Sequence, residues 1–389
     1  MNNDKGNESE NFADDITRQI DENLLRRSEE LLRSENPAVK ETQQTLDNYT
    51  TNYEPKLSGQ KKTYPQVWSA YNPAKCGELI YFMSTLDELL VYIKEDEKPK
   101  VGRTPYSKRG KIFSMCIQTY NKRRSRNAVS YLVKANEEGY LQRTPPLYAG
   151  FNTLLNFYSD KSLTPLLKKL ITLSAHPLMD IESHITIDST GFSTSQFDRW
   201  FDTRLLDYSV KRKWKKAHLV SGAVSNVILN VAITSGYAHD APQFQSLIME
   251  ISKYYDMNGL GLSGDMAYSS RDIFRICQEL NIRPFIPFKK NAKGNPKGVP
   301  LWRKMFDYAL KNPEEFSKKY HIRSNAEATN RMVKYNFNPK LNTLKETSQI
   351  NEILVKCLCH NICCIIQESF ELGIDADFSF CAELLNAPK

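Results

Sequence analysis

The chain has 389 residues, 53 of them Lys or Arg and 45 Asp or Glu, for a net charge of +8; 40 % are hydrophobic and 25 % charged. That length allows about two to three domains and a sizeable core, which excludes a wholly disordered chain and a collagen-like or coiled-coil rod. The charge is uneven: residues 1–60 hold 13 acidic against 7 basic side chains, a net −6, so the rest carries +14, a pattern that points toward a polyanionic partner.

Residues 1–60 are polar and acidic, and read as a disordered tail with room for one short amphipathic helix over 16–32. The opening MNNDKGNESENFADD has neither the basic start nor the apolar segment of a signal peptide. No apolar run reaches the ~18–20 residues of a membrane span, and eight cysteines do not make a disulfide scaffold. The expectation is an intracellular protein with reduced thiols and no membrane association.

Residues 61–178 read as helical. CGELIYFMSTLDELLVYIKE has apolar spacings of three and four. Two further helices hinge around Lys122–Arg126, the second ending at Gly139, and others fit 148–158 and 163–173. Short helices with tight turns suggest a helix-turn-helix-like DNA-binding region. Its cations include Lys98, Lys100, Arg103, Lys122, Arg123, Arg124 and Arg126, with tyrosines interleaved. Such a cluster either contacts phosphates or forms a solvated face.

From His184 the texture changes. HITIDST reads as a strand, and KKAHLVSGAVSNVILNVAITSG as two strands with a turn near 224–226. DAPQFQSLIMEISKYY reads as a helix, LGLSGDMAYSS as a strand ending in an acidic turn, RDIFRICQELNI as a helix and RPFIPFKK as a strand. Helices return over 305–373. This order is that of the α/β ribonuclease-H-like fold: a mixed five-stranded sheet with flanking helices, here over 179–375, followed by a tail, 376–389.

Three carboxylates stand out. Asp188 is expected at the end of the first strand, Asp265 at the end of the fourth, and Glu327 on a helix. Strand ends form the ligand crevice of open α/β sheets. The first and fourth strands are neighbours in this topology, so Asp188 and Asp265 converge despite the 77 positions between them. Clustered carboxylates repel one another, and divalent cations relieve that cost. Mg²⁺ takes oxygen ligands, and a metal pair can activate both the attacking and the leaving oxygen of a phosphoryl displacement.

On these residues the sequence resembles the DDE-type transposases of insertion sequences, in the subgroup with the Y-(2)-R-(3)-E-(6)-K signature. Tyr320, Arg323, Glu327 and Lys334 match it with the same gaps. TSGYAHDAPQF and GDMAYSSRDIFRICQELNIRPFIPFKKN are similar to further blocks of the family. The second departs from D-x-G-Y-D-S: Met266–Ala267 precede Tyr268, and Ser269 replaces the acidic residue. The resemblance covers about 180–370. It implies hydrolytic cleavage at transposon ends and 3′-OH attack on target DNA. It also implies Asp188, Asp265 and Glu327 as catalytic ligands of two Mg²⁺ ions, with Mn²⁺ as a substitute. Tyr320, Arg323 and Lys334 would hold DNA; read from charge and position, Arg331, Lys289 and Lys290 after the fifth strand, and Arg123 and Arg124 in the helical region are further DNA-contact candidates. DNA is the partner, a homodimer on paired ends the expected assembly, and the nucleoid the location. No G-x4-G-K-[ST] loop is present, so no nucleotide cofactor is expected. Other readings are a nuclease of the same fold without strand transfer, and an inactive or regulatory DNA-binding relative.

Other features read more plainly. Arg323 and Glu327 could be an ordinary i, i+4 salt bridge. His218 reads as a strand residue near the site, Trp200 and Trp214 as core or base-stacking residues, and Asp198, Asp202 and Asp207 as linker residues. Cys357, Cys359, His360, Cys363 and Cys364 lie within eight positions, denser than the usual paired metal spacing. They read as a buried helix packed with small thiols in preference to a metal or redox site.

Overall fold

The computed structural model describes residues 67–96, 102, 105–139, 150–194 and 214–381. The acidic tail, Lys98, Lys100, Arg103, Asp198, Trp200, Asp202 and Asp207 lie outside them.

The helical region comprises α1 (Trp68–Cys76), α2 (Glu78–Leu90), α3 (Lys108–Tyr120), α4 (Ser125–Glu137), α5 (Phe151–Tyr158) and α6 (Leu163–Ser174). Ser107 starts α3 by accepting from the Gly110 amide at 2.9 Å. The turn that ends α3 places Lys122 in the left-handed region, φ 52°, and Gly139 ends α4 at φ 72°.

The sheet is built from β1 (His184–Ser193), β2 (Trp214–Gly222), β3 (Ile228–Ser235), β4 (Gly261–Gly264) and β5 (Arg283–Phe285). Its order is β3-β2-β1-β4-β5, with the first three strands antiparallel and β1, β4 and β5 parallel. Asn226, φ 61°, turns the β2–β3 hairpin where the sequence places it. α7 (Phe244–Ile251) crosses from β3 to β4, and α8 (Arg271–Glu279) from β4 to β5. The fold is thus α/β with a five-stranded mixed sheet flanked by helices, in the ribonuclease-H-like order.

Four helices follow: α9 (Pro300–Lys311), α10 (Pro313–His321), α11 (Ser324–Phe337) and α12 (Glu346–Leu372). α12 is buried on nearly every side, with charged and amide side chains partnered inside the protein. It packs against α1, α2, α3 and α6 as well as β2 and β3. It is the one described helix long and apolar enough to cross a membrane, and here it is the central core helix. One cluster of buried apolar side chains takes in Phe82, Phe113 and Leu167 of the helical region together with Ile187 of the sheet and Leu358 of α12.

One expectation is corrected. Asp188 is not at the end of β1, which runs five residues further. It is the β1–β4 ladder that ends there, at the pair Ile187 and Gly264. The sequence left the place of Tyr320 open: it belongs to α10, and the chain breaks at Ile322–Arg323 before α11.

Candidate active site

Because Ile187 pairs with Gly264 in parallel register, Asp188 and Asp265 each occupy the next position, Asp188 within β1 and Asp265 just past the end of β4. Asp265 leaves β4 at once and caps a short 3-10 turn, Met266–Tyr268, accepting from the Ala267 amide at 2.8 Å. This is where the chain departs from the D-x-G-Y-D-S pattern. Tyr268 turns inward, 1 % exposed, against Phe244. Gly264 permits that packing: a Cβ there would meet Ile187 at 2.9 Å and the Tyr268 ring at 3.1 Å.

Glu327 arrives on α11, whose seating is polar. Asn325 Nδ2 donates to the Ala223 carbonyl at 2.6 Å, and Thr329 Oγ1 donates to Asn226 Oδ1 at 3.2 Å, fixing the helix on the β2–β3 hairpin. Arg323, Glu327, Asn330 and Lys334 are spaced by four, three and four, so they share one helical face. Asn330 Nδ2 donates to Asp188 Oδ2 at 3.0 Å. Arg323 bridges two carboxylates, with Nη1 3.1 Å from Glu327 Oε1 and Nη2 3.8 Å from Asp188 Oδ1. Glu327 in the first turn and Lys334 in the last also suit the helix dipole.

The resulting cleft, about 780 Å³, is lined by Asp188, Glu327, Asn330, Arg331 and Lys334, with Lys122 at its rim. Burial pushes the Asp188 carboxyl above its ordinary value; a Ser189 backbone hydrogen bond and Arg323 oppose this, while Asp265 and Glu327 add to it. The three acids therefore share one electrostatic neighbourhood. Lys334 is lowered by burial and supported by Asp188. Among the described residues no three His, Cys, Asp or Glu side chains close around a metal position. The carboxylates match a hard divalent cation in donor chemistry, but the cation meeting Asp188 and Glu327 in this arrangement is Arg323.

The remaining expected residues spread out. Tyr320 packs against the core at the end of α10 and is absent from the cleft lining. Lys289 and Lys290 are exposed beyond β5, also off the cleft. Arg123 and Arg124 line a second, adjoining cleft. Trp214 is 41 % exposed and lies over Gly191. His218 is fully buried, with Nε2 2.8 Å from Thr234 Oγ1 and Nδ1 2.9 Å from Asp240 Oδ1. Burial lowers its pKa, and it stands inside the sheet, off the cleft lining.

Three site neighbours went unread in the sequence. Asn330 was legible from its place on the Glu327 face. Tyr268 was visible only as a departure from a motif. Asp240, in TSGYAHDAPQF, gathers Lys216 at 2.7 Å. Burial pushes its carboxyl up, but hydrogen bonds from Lys216 and Ser189 and the Lys216 charge outweigh that and lower it.

The cysteine run lies on α12. Cys357, Cys359, Cys363 and Cys364 are buried free thiols whose pKa values burial raises. His360 Nε2 lies 2.9 Å from the Asn226 carbonyl oxygen, and burial lowers its pKa to about 4.

No curated protein and no solved structure matches the chain. Residues 180–362 match the family model described as Transposase DDE domain. That span holds Asp188, Asp265 and Glu327 and the whole sheet, so this part of the chain is similar to the DDE domain of transposases.

Proposed function

We propose that the protein cleaves the phosphodiester at transposon ends by hydrolysis and joins the freed 3′-OH to target DNA by transesterification. The observation that carries this is the convergence of Asp188 and Asp265 in adjacent register with Glu327 reached through Arg323.

In this reading Asp188, Asp265 and Glu327 would hold two Mg²⁺ ions, or Mn²⁺ in their place. Such ions supply Lewis-acid polarisation of the phosphate and a lowered pKa for the attacking oxygen. The chain's own part is positional and electrostatic. Asn330 holds the Asp188 carboxylate in one rotamer. Arg323 offers a planar fork that can turn from carboxylate to phosphate, and Lys334 a point charge at the cleft wall. Arg331 extends that wall. Tyr320, Lys289, Arg123 and Arg124 contact DNA further out. A homodimer on paired ends, in the cytoplasm on the nucleoid of a prokaryotic cell and without a nucleotide cofactor, completes the proposal.

The test is a strand-transfer assay with a pre-cut end bearing a 3′-OH, a target plasmid and Mg²⁺. Joined product from the wild type and none from Glu327→Ala or Asp188→Ala is expected. Mg²⁺-dependent cleavage without joining would instead make the protein a nuclease of this fold. Joining that survives both substitutions would overturn the catalytic assignment.

A further inference from the structure

Lys122, Arg123, Arg124 and Arg126 crowd the turn between α3 and α4, and none of them pairs with a carboxylate among the described residues. Four uncompensated cations within five positions repel one another and persist where an anion is to be met. The turn is held in place. The Arg123 amide donates to the Gln118 carbonyl at 3.1 Å. Lys122 Nζ donates to the Tyr335 carbonyl at 3.1 Å and lies 5.7 Å from the Tyr335 ring centroid. Tyr335 is on α11, so the turn is tied to the helix that carries Glu327.

Beside the turn lies a second cleft of about 490 Å³. One wall is the basic turn and another is α5, where Arg126 stacks on Phe151 at 4.7 Å. Leu155, 47 % exposed, extends that wall. Opposite is the loop after α11, and its stiffness has a cause. Glu352 accepts from the Asn342 and Thr343 amides at 2.9 and 3.0 Å. Lys356 Nζ donates to the Asn338 and Lys340 carbonyls, each at 2.9 Å. Lys122 and Asn338 line both this cleft and the acidic one, so the two are continuous.

We infer that the second cleft holds an unpaired DNA strand running on from the scissile phosphate, its phosphates on Arg123, Arg124 and Arg126 and one base against Phe151. The volume of about 490 Å³ lies in the range of about 300–1,000 Å³ typical of small-ligand sites. A cationic groove with an aromatic platform binds single strands with little sequence preference. The inference rests on the proposed DNA chemistry of the acidic cleft.

The test is binding of the full-length protein, in EDTA, to two labelled DNAs: a blunt duplex end and the same end with a four-nucleotide single-stranded extension. The extended DNA is expected to bind at least tenfold tighter. Arg123→Gln/Arg124→Gln/Arg126→Gln should lose at least tenfold more affinity for the extended DNA than for the blunt one. Its salt slope on extended DNA should fall by about 0.7 for each phosphate that is no longer neutralised. Phe151→Ala should weaken binding of the extended DNA about tenfold at unchanged slope, because stacking is not ionic. Equal affinity of the wild type for both DNAs, or an equal drop on both in the triple variant, overturns the inference while leaving the proposed function standing. No binding of either DNA overturns both. Melting temperatures of the variants, whose arginines are exposed, confirm folding.

Discussion

Two groups of candidate ligands behave in opposite ways. The cysteines and histidine of α12 lie within eight positions, whereas Asp188, Asp265 and Glu327 spread over 140. The dense group is buried in the core as neutral thiols and a neutral imidazole. The scattered group shares one neighbourhood beside an open cleft, where Arg323 supplies counter-charge to Asp188 and Glu327. Density along a chain thus says little about a site. What matters is whether the fold leaves the groups solvent access and counter-charge to stay ionised.

Substitutions can break this contrast, and the largest effect belongs to the cleft. Asp188→Ala or Glu327→Gln is expected to lower DNA cleavage at least about 10³-fold, since several kcal/mol of transition-state stabilisation would go with the ligand. Cys359→Ala should leave cleavage within about twofold. Next comes the core pair beside the second cleft. Glu352→Ala leaves the Lys356 ammonium buried and two loop amides unpaired, so chemical denaturation should show a loss of about 3–5 kcal/mol.

The pH profile sharpens the comparison further. Burial lowers His360 and His184 from 6.5 to about 4. The unfolded chain therefore binds more protons between those values, and stability is lost as pH falls from 6.5 toward 4. The cost is up to about 1.4 kcal/mol per pH unit for each histidine. Melting curves from pH 7 to 4 should show this fall, and His360→Gln should reduce its steepness. The smallest effect is chemical. In the native protein a thiol reagent should label Cys76 quickly and the seven buried cysteines slowly. Fast labelling of Cys363 would erase the distinction.

Much of the architecture was legible. Ile185 and Ile187 alternate with Thr186 in a strand, Asn226 marks a hairpin turn, and the strand order follows from the elements in sequence. The seating of α11 was not legible, because the hydrogen bond of Asn325 to the Ala223 carbonyl joins it to the distant β2–β3 hairpin. Nor was Asp240, whose meaning depends on Lys216 and Ser189 from other strands.

Local pattern determined the elements, the carboxylate types and the basic turn at 122–126, since periodicity, turn chemistry and charge are properties of neighbouring residues. Register and packing decided the rest. A parallel ladder ending at Ile187 and Gly264 sets Asp188 beside Asp265. The seating of α11 on the sheet brings Arg323, locally paired with Glu327, to 3.8 Å from Asp188. The modest +8 of the whole chain becomes a placed charge because Lys122 is tied to α11, which brings the basic turn to the rim of the acidic cleft. Those interactions join residues far apart in the chain, and their energies exist only once the chain has folded.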